Sequence, residues 1–144
     1  MFDDIVERVA EFTCSPICLI TLVDRHRQWF KAKKGLDITQ TPIAASFCAH
    51  TIKSNRAFEV RNALLDRRFA ENPFVLGSAH IRYYAGLPLR TPSGDRIGAL
   101  CVLDHRPRSP LSQNHVRFMR NMSRMIVKAF EQRRDTAVKQ QAAA

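Results

Sequence analysis

Two apolar runs, Ile81–Leu89 and Ile97–Leu103, flank a Thr91-Pro92-Ser93-Gly94-Asp95 turn. Strands joined by so short a connection are antiparallel, and antiparallel sheets commonly leave one face to water. Neither run alternates between apolar and polar residues, nor does the earlier run Ile17–Asp24, whose Leu22-Val23-Asp24 ending is echoed by Val102-Leu103-Asp104. Both faces of this sheet are therefore expected to be covered, with helices behind it and a ligand cavity or another cover in front.

The rest of the pattern fills in that plan. Asp3 or Asp4 is placed to cap a first helix with Ile5, Val9 and Phe12 near helical spacing, stopped by Pro16. Ile17–Asp24 reads as a strand, Asp24–Arg27 as a turn and Gln28–Ala32 as the returning strand. Thr39–Pro42 is a connector, Ser46–Ile52 a short helix and Ala57–Val60 a short strand. Asp66 is expected to open a brief helix through Ala70 that Asn72-Pro73 ends, with a loop over 74–80. The hairpin 81–89 and 96–103 follows.

Ser112 is a good N-cap for a long final helix. Its apolar residues form two stripes, Val116, Met119, Ile126, Val127 and Phe130, then Phe118, Met122, Met125 and Ala129. One stripe suffices to dock on a sheet. The second, Phe118, Met122, Met125 and Ala129, is expected to meet a partner, most simply a copy of itself in a homodimer. Residues 1–134 make one domain, and 135–144 a polar tail, frayed or the start of a linker.

Composition narrows the class. The chain's 144 residues, 45% hydrophobic and 25% charged, suit one folded domain. No apolar run approaches a membrane span, and the acidic N-terminus lacks the layout of a secretory signal, which implies a cytoplasmic location. The net charge of +10 sits mainly after residue 104, yet nothing there reads as a nucleic-acid fold, and nucleic acid is not the favoured partner. Cys14, Cys18, Cys48 and Cys101 lack the spacing of a zinc or dithiol site, so no metal is expected. There is no phosphate loop, HExxH or nucleophile elbow, which argues against an enzyme.

The chain resembles the GAF domains, in particular the bacterial sensory ones of histidine kinases and cyclic-diguanylate synthases. The matching segments are Ile20–Asp24 with Gln28–Lys31, Ser46–Ile52, Val60 with Asp66–Pro73, Ile81–Leu89, and Gly94 with Ile97–Asp104. They span residues 3–134. The resemblance implies an α+β fold related to PAS and profilin: a central antiparallel sheet of about five to six strands, terminal helices on one face, and short helices and loops covering a cavity on the other. It also implies a signalling role beside a fused or separate output domain. Departures matter too. Cys48 and His50 are separated by Ala49, unlike the adjacent Cys-His of bilin-carrying relatives, so no covalent bilin is expected. The signature of cyclic-nucleotide-binding members is absent, and the cysteines do not reproduce the set of the methionine-sulfoxide-reducing members.

In that frame Phe47, Cys48 and His50 line the cavity, and Asp66, Arg68 and Phe69 border it. Strand alternation puts Arg82 on one face with Tyr84 and Gly86, where an arginine must find a partner or reach water, the partner being a ligand anion or a loop acid. Plain core packing, capping and surface pairing account for the same residues. The leading expectation is a sensory module that binds an unidentified small molecule and signals through its dimerising last helix. The alternative is a ligand-free dimerisation or protein-interaction module, and the remotest is a thiol-based redox enzyme.

Overall fold

The computed structural model describes residues 1–23, 28–36 and 42–143. Their elements run α1 (Phe2–Phe12), β1 (Ile17–Val23), β2 (Gln28–Lys34), α2 (Pro42–Thr51), β3 (Phe58–Val60), α3 (Pro73–Leu76), β4 (Tyr83–Arg90), β5 (Arg96–Asp104) and α4 (Gln113–Ala143). The five strands form one antiparallel sheet in the order β2-β1-β5-β4-β3. The predicted turn at Asp24–Arg27 and residues 39–41 of the connector at Thr39–Pro42 lie outside the described residues; Pro42 belongs to α2, which starts ahead of the predicted Ser46.

The unalternating strands are buried on both sides, as the pattern requires. Cys18 and Ile20 of β1, Tyr83, Ala85, Leu87 and Leu89 of β4, and Leu100 and Val102 of β5 pack with α1 and α4. Ile17 and Leu19, Tyr84, and Cys101 and Leu103 face the other way, onto Phe47 of α2, Phe69 and Val75. No helix of the described residues is long and apolar enough to cross a membrane.

Three local expectations need correction. Neither Asp3 nor Asp4 caps α1: the cap is Met1, two or three residues earlier, and both carboxylates lie in the first turn, where they favour the helix dipole. Its end is set before Pro16, by Thr13 and the left-handed Cys14 at φ 52°. Asp66 does not open a helix either. Residues 67–71 are turns, and the helix comes after them, where Asn72 accepts the Phe74 N–H at 3.0 Å and Pro73 occupies the first position. Proline there starts a helix, because its missing N–H would be unpaired anyway. A 3-10 turn at Ala63–Leu65, capped in the same way by Asn62, was not anticipated.

Ser112 does cap α4, accepting the His115 N–H at 3.1 Å. The two stripes of α4 have a different origin from the one expected. Met119, Ile126 and Val127 are buried in the cluster shared with the sheet. Of the second stripe, Phe118 stacks on Phe12 of α1 at 4.4 Å, and Met122 and Ala129 are buried in the same cluster as the apolar face of α1. Only Met125 of those four stays exposed, at 43%. Helix α4 meets both the sheet and α1, and each contact needs its own apolar stripe.

Candidate functional site

The face of the sheet opposite α1 and α4 carries an aromatic cluster. Helix α2 lies across β4, which drives Phe47 and Cys48 into the interior. The Phe47 ring stacks on Phe69 at 4.2 Å and on Tyr84 at 4.9 Å, and all three are at most 1% exposed. His50, a turn further along α2, lies parallel to Phe58 at 5.5 Å and edge-on to Phe69 at 5.2 Å. Phe58 closes the group from β3, 6.1 Å from Tyr84.

A charged clamp sits at the rim. Asp66 accepts from Arg68 Nε at 2.9 Å, from Nη2 at 2.6 Å and from the Arg68 backbone N–H at 2.9 Å. This two-point grip holds the guanidinium over Phe58 and Phe69, 5.0 and 5.4 Å from their centres. Arg68 remains exposed, so its other N–H groups are available to a ligand. The hydrogen bonds from Arg68 hold the Asp66 carboxyl below its usual range. The His50 imidazole is also lowered, first by burial and then by the Lys53 and Arg68 cations, with Asp66 opposing.

Beneath the rings lies a buried polar chain. Thr51 Oγ1 donates to the Phe47 carbonyl at 3.2 Å, so the Tyr84 hydroxyl, 2.7 Å away, donates to Thr51. Cys48 Sγ is 3.2 Å from Thr21 Oγ1 and 3.7 Å from the Tyr84 oxygen. The neighbouring Cys101 thiol lowers the Cys48 thiol, burial opposing; Cys101 itself is raised, by burial first. Cys18, on the other face, is pushed up to about 12 by burial. Gly86 keeps this chain in place, since a Cβ there would lie 2.4 Å from the Tyr84 oxygen and 3.0 Å from Thr51 Oγ1.

Seven of the eight predicted site residues thus come together: Phe47, Cys48, His50, Asp66, Arg68, Phe69 and Tyr84. Arg82 does not. Strand β4 begins after it, and its Nη1 donates to the carbonyls of Val75 at 2.6 Å and Ile81 at 3.1 Å, with Nη2 3.2 Å from His80 Nδ1. The arginine secures α3 and the segment after it to the start of β4. The pattern does not single out Phe58: Ala57–Val60 reads as a strand, but β3 itself is three residues long, too few for alternation to assign a face. Among the described residues no group of three or more His, Cys, Asp or Glu is placed to hold a metal.

The sheet with terminal helices on one face and the α2 cover on the other superposes on solved GAF domains. The GAF domain model matches residues 1–130. The chain belongs to the GAF domain family. Such domains are sensory and regulatory modules of signalling proteins. This GAF domain is 43% identical over 136 residues to a cyclic di-GMP phosphodiesterase of Pseudomonas aeruginosa; the match covers 94% of the chain but 23% of that enzyme. The chain thus spans about a quarter of the length of that relative. Among solved structures it superposes on the GAF domain of an Acinetobacter phosphoenolpyruvate-protein phosphotransferase with a TM-score of 0.73 at 17% identity, covering 94% of this chain and 82% of that one. A GAF domain from Synechocystis, solved in its photoproduct state, gives a TM-score of 0.75 at 11% identity and 96% coverage of both chains. At these identities the structural likeness concerns the fold.

Proposed function

We propose that this GAF domain is a cytoplasmic sensor that binds a small molecule over the cluster of Phe47, Phe58, Phe69 and Tyr84, with Cys48 beneath, and passes the change to α4. Arg68, held by Asp66, and a neutral His50 suit a planar ligand with an acidic or carbonyl group. The observation that carries this reading is the division of β3 between the two faces of the sheet. Phe58 belongs to the aromatic cluster, while the next residue, Glu59, accepts the Tyr83 hydroxyl and the Leu111 N–H just ahead of α4. A ligand that shifts Phe58 moves Glu59 with it, and so biases the start of the helix. Helix α4 is 31 residues long, about 46 Å at the usual rise, and suits a connection to an output domain. Similarity to a phosphodiesterase of cyclic di-GMP supports placing this domain as the regulatory part of such a longer protein. In this reading two copies associate along α4 around Met125.

A second reading is favoured by the close stacking of Phe47, Phe69 and Tyr84, which fill the interior with the protein's own rings. The domain then acts by dimerisation or protein contact without a ligand. Thermal-shift screening of the purified domain against metabolites, nucleotides and haem separates the two. The sensor reading expects a stabilising compound whose effect is lost in Arg68→Ala and Phe58→Ala. No stabilisation by any compound, together with a dimeric mass, supports the second reading and removes the first.

A further inference from the structure

The opposite face of the sheet holds a groove that the sensor reading does not use. Strand β3 pairs only with Tyr84, Ala85 and Gly86, so the outer edge of Leu87–Arg90 has no strand neighbour among the described residues. Between that edge and α4 lies a cavity of about 510 Å³, a volume typical of small-molecule sites. Buried Leu87, Pro88 and Val127 supply its apolar lining. Arg120, Arg124 and Lys128 follow one another at four-residue spacing on the same side of α4, and Arg90 at the end of β4 completes the basic lining. Glu131 is the only acid lining it, and none of the four cations is ion-paired among the described residues.

Four cations with no ion-pair partner among the described residues, beside an apolar wall, raise the local potential and repel one another, and a bound polyanion relieves both effects. Guanidinium groups grip phosphate oxygens two at a time. An apolar wall adds affinity only for a ligand that also carries a ring or another apolar part. We propose that this groove binds a phosphate ester of nucleoside-phosphate size. Its phosphates lie on Arg90, Arg120, Arg124 and Lys128, and its ring on Leu87, Pro88 and Val127. Because α4 forms one wall, occupancy acts directly on that helix, independently of the aromatic cluster.

Isothermal titration of ATP and GTP into the purified domain tests this, with inorganic tripolyphosphate as the probe of charge alone. Saturable one-site binding is expected, weakened on the order of tenfold or more by Arg120→Gln with Arg124→Gln. Thermal melting of that variant, altered only at side chains on the rim of the groove, checks that it folds. Arg68→Ala, on the other face, reports which site the nucleotide occupies, so the outcome stands apart from that of the sensor reading. Four results overturn the proposal: nucleotide binding weakened by Arg68→Ala and not by the groove variant, no saturable nucleotide binding, tripolyphosphate binding as tightly as ATP, or displacement of ATP by single-stranded RNA at far lower concentration. The last would reassign the groove to nucleic acid.

Discussion

Glu59 accepts the hydroxyl of Tyr83 at 2.5 Å across the β3–β4 pair, and the same carboxylate oxygen takes the Leu111 N–H at 3.0 Å. Tyr83 is fully buried and carries Arg108 over its ring at 5.1 Å. Arg108 in turn donates to Ser15 Oγ and to the Thr13 carbonyl at 2.8 and 2.7 Å. One carboxylate thereby joins β3 to the linker ahead of α4 and, through the tyrosine, to the end of α1.

Removing Glu59 leaves a buried phenol and a backbone N–H without their partner. Glu59→Ala is expected to cost about 2–3 kcal/mol, and Tyr83→Phe about 1 kcal/mol, since there the carboxylate keeps Leu111. Urea denaturation measures both. Amide exchange at Leu111 and Val116 should accelerate in Glu59→Ala, and unchanged exchange there would remove β3 as the link to α4.

Glycine at 98 is required by the neighbouring backbone. A Cβ there would lie 1.9 Å from the Thr21 carbonyl oxygen in β1, an atom that cannot turn aside. Gly98→Ala is expected to prevent folding or to cost more than about 3 kcal/mol. Gly86→Ala meets the tip of a side chain instead, and about 1–3 kcal/mol is expected as Tyr84 loses Thr51. Equal costs for the two in chemical denaturation would contradict this distinction.

His50 has a pKa lowered by folding, so the unfolded chain takes up its proton first. Its contribution to stability is complete above the unfolded value of about 6.5 and declines as pH falls from there towards the folded value. The domain should therefore melt lower near pH 5.5 than near pH 7.5, and His50→Gln should reduce that difference. In an NMR titration Arg68→Ala should raise the His50 pKa, because a repelling cation is gone and Asp66 is freed; a fall would refute the arrangement.

Thiol chemistry is testable by counting. Cys14 is exposed, whereas Cys18, Cys48 and Cys101 are buried. A disulfide-exchange reagent should titrate one fast thiol in the native protein and four after denaturation. Rapid native reaction at Cys48 would support the redox reading.

The sheet was legible in the sequence because strand length and apolar content are local properties. Ile17–Val23, the 81–104 hairpin and the Ser112 cap follow from β-branched runs, a Pro-Ser-Gly-Asp turn and one serine. The aromatic site was mostly legible for another reason: Ser46–Ile52, Asp66–Pro73 and Tyr84 lie within the segments that carry the resemblance to GAF domains. Arg82 and Phe58 were not, since each sits at a strand end where alternation no longer assigns a face. Asn72-Pro73 reads equally as a stop or a start because proline both ends and begins helices, and only the Asn72 cap decides which.

The sequence alone determined that both faces of the sheet are covered, because seven or more consecutive buried-type residues cannot leave a face to water. What covers each face depended on contacts between residues far apart in the chain. The second stripe of α4 is used by α1, a neighbour across more than a hundred residues, and so leaves only Met125 of the expected seam exposed. The groove beside β4 exists because β3 is three residues long and pairs no further than Gly86. Only the register of the folded sheet sets that edge, and with it the place where Arg90 meets the basic side of α4.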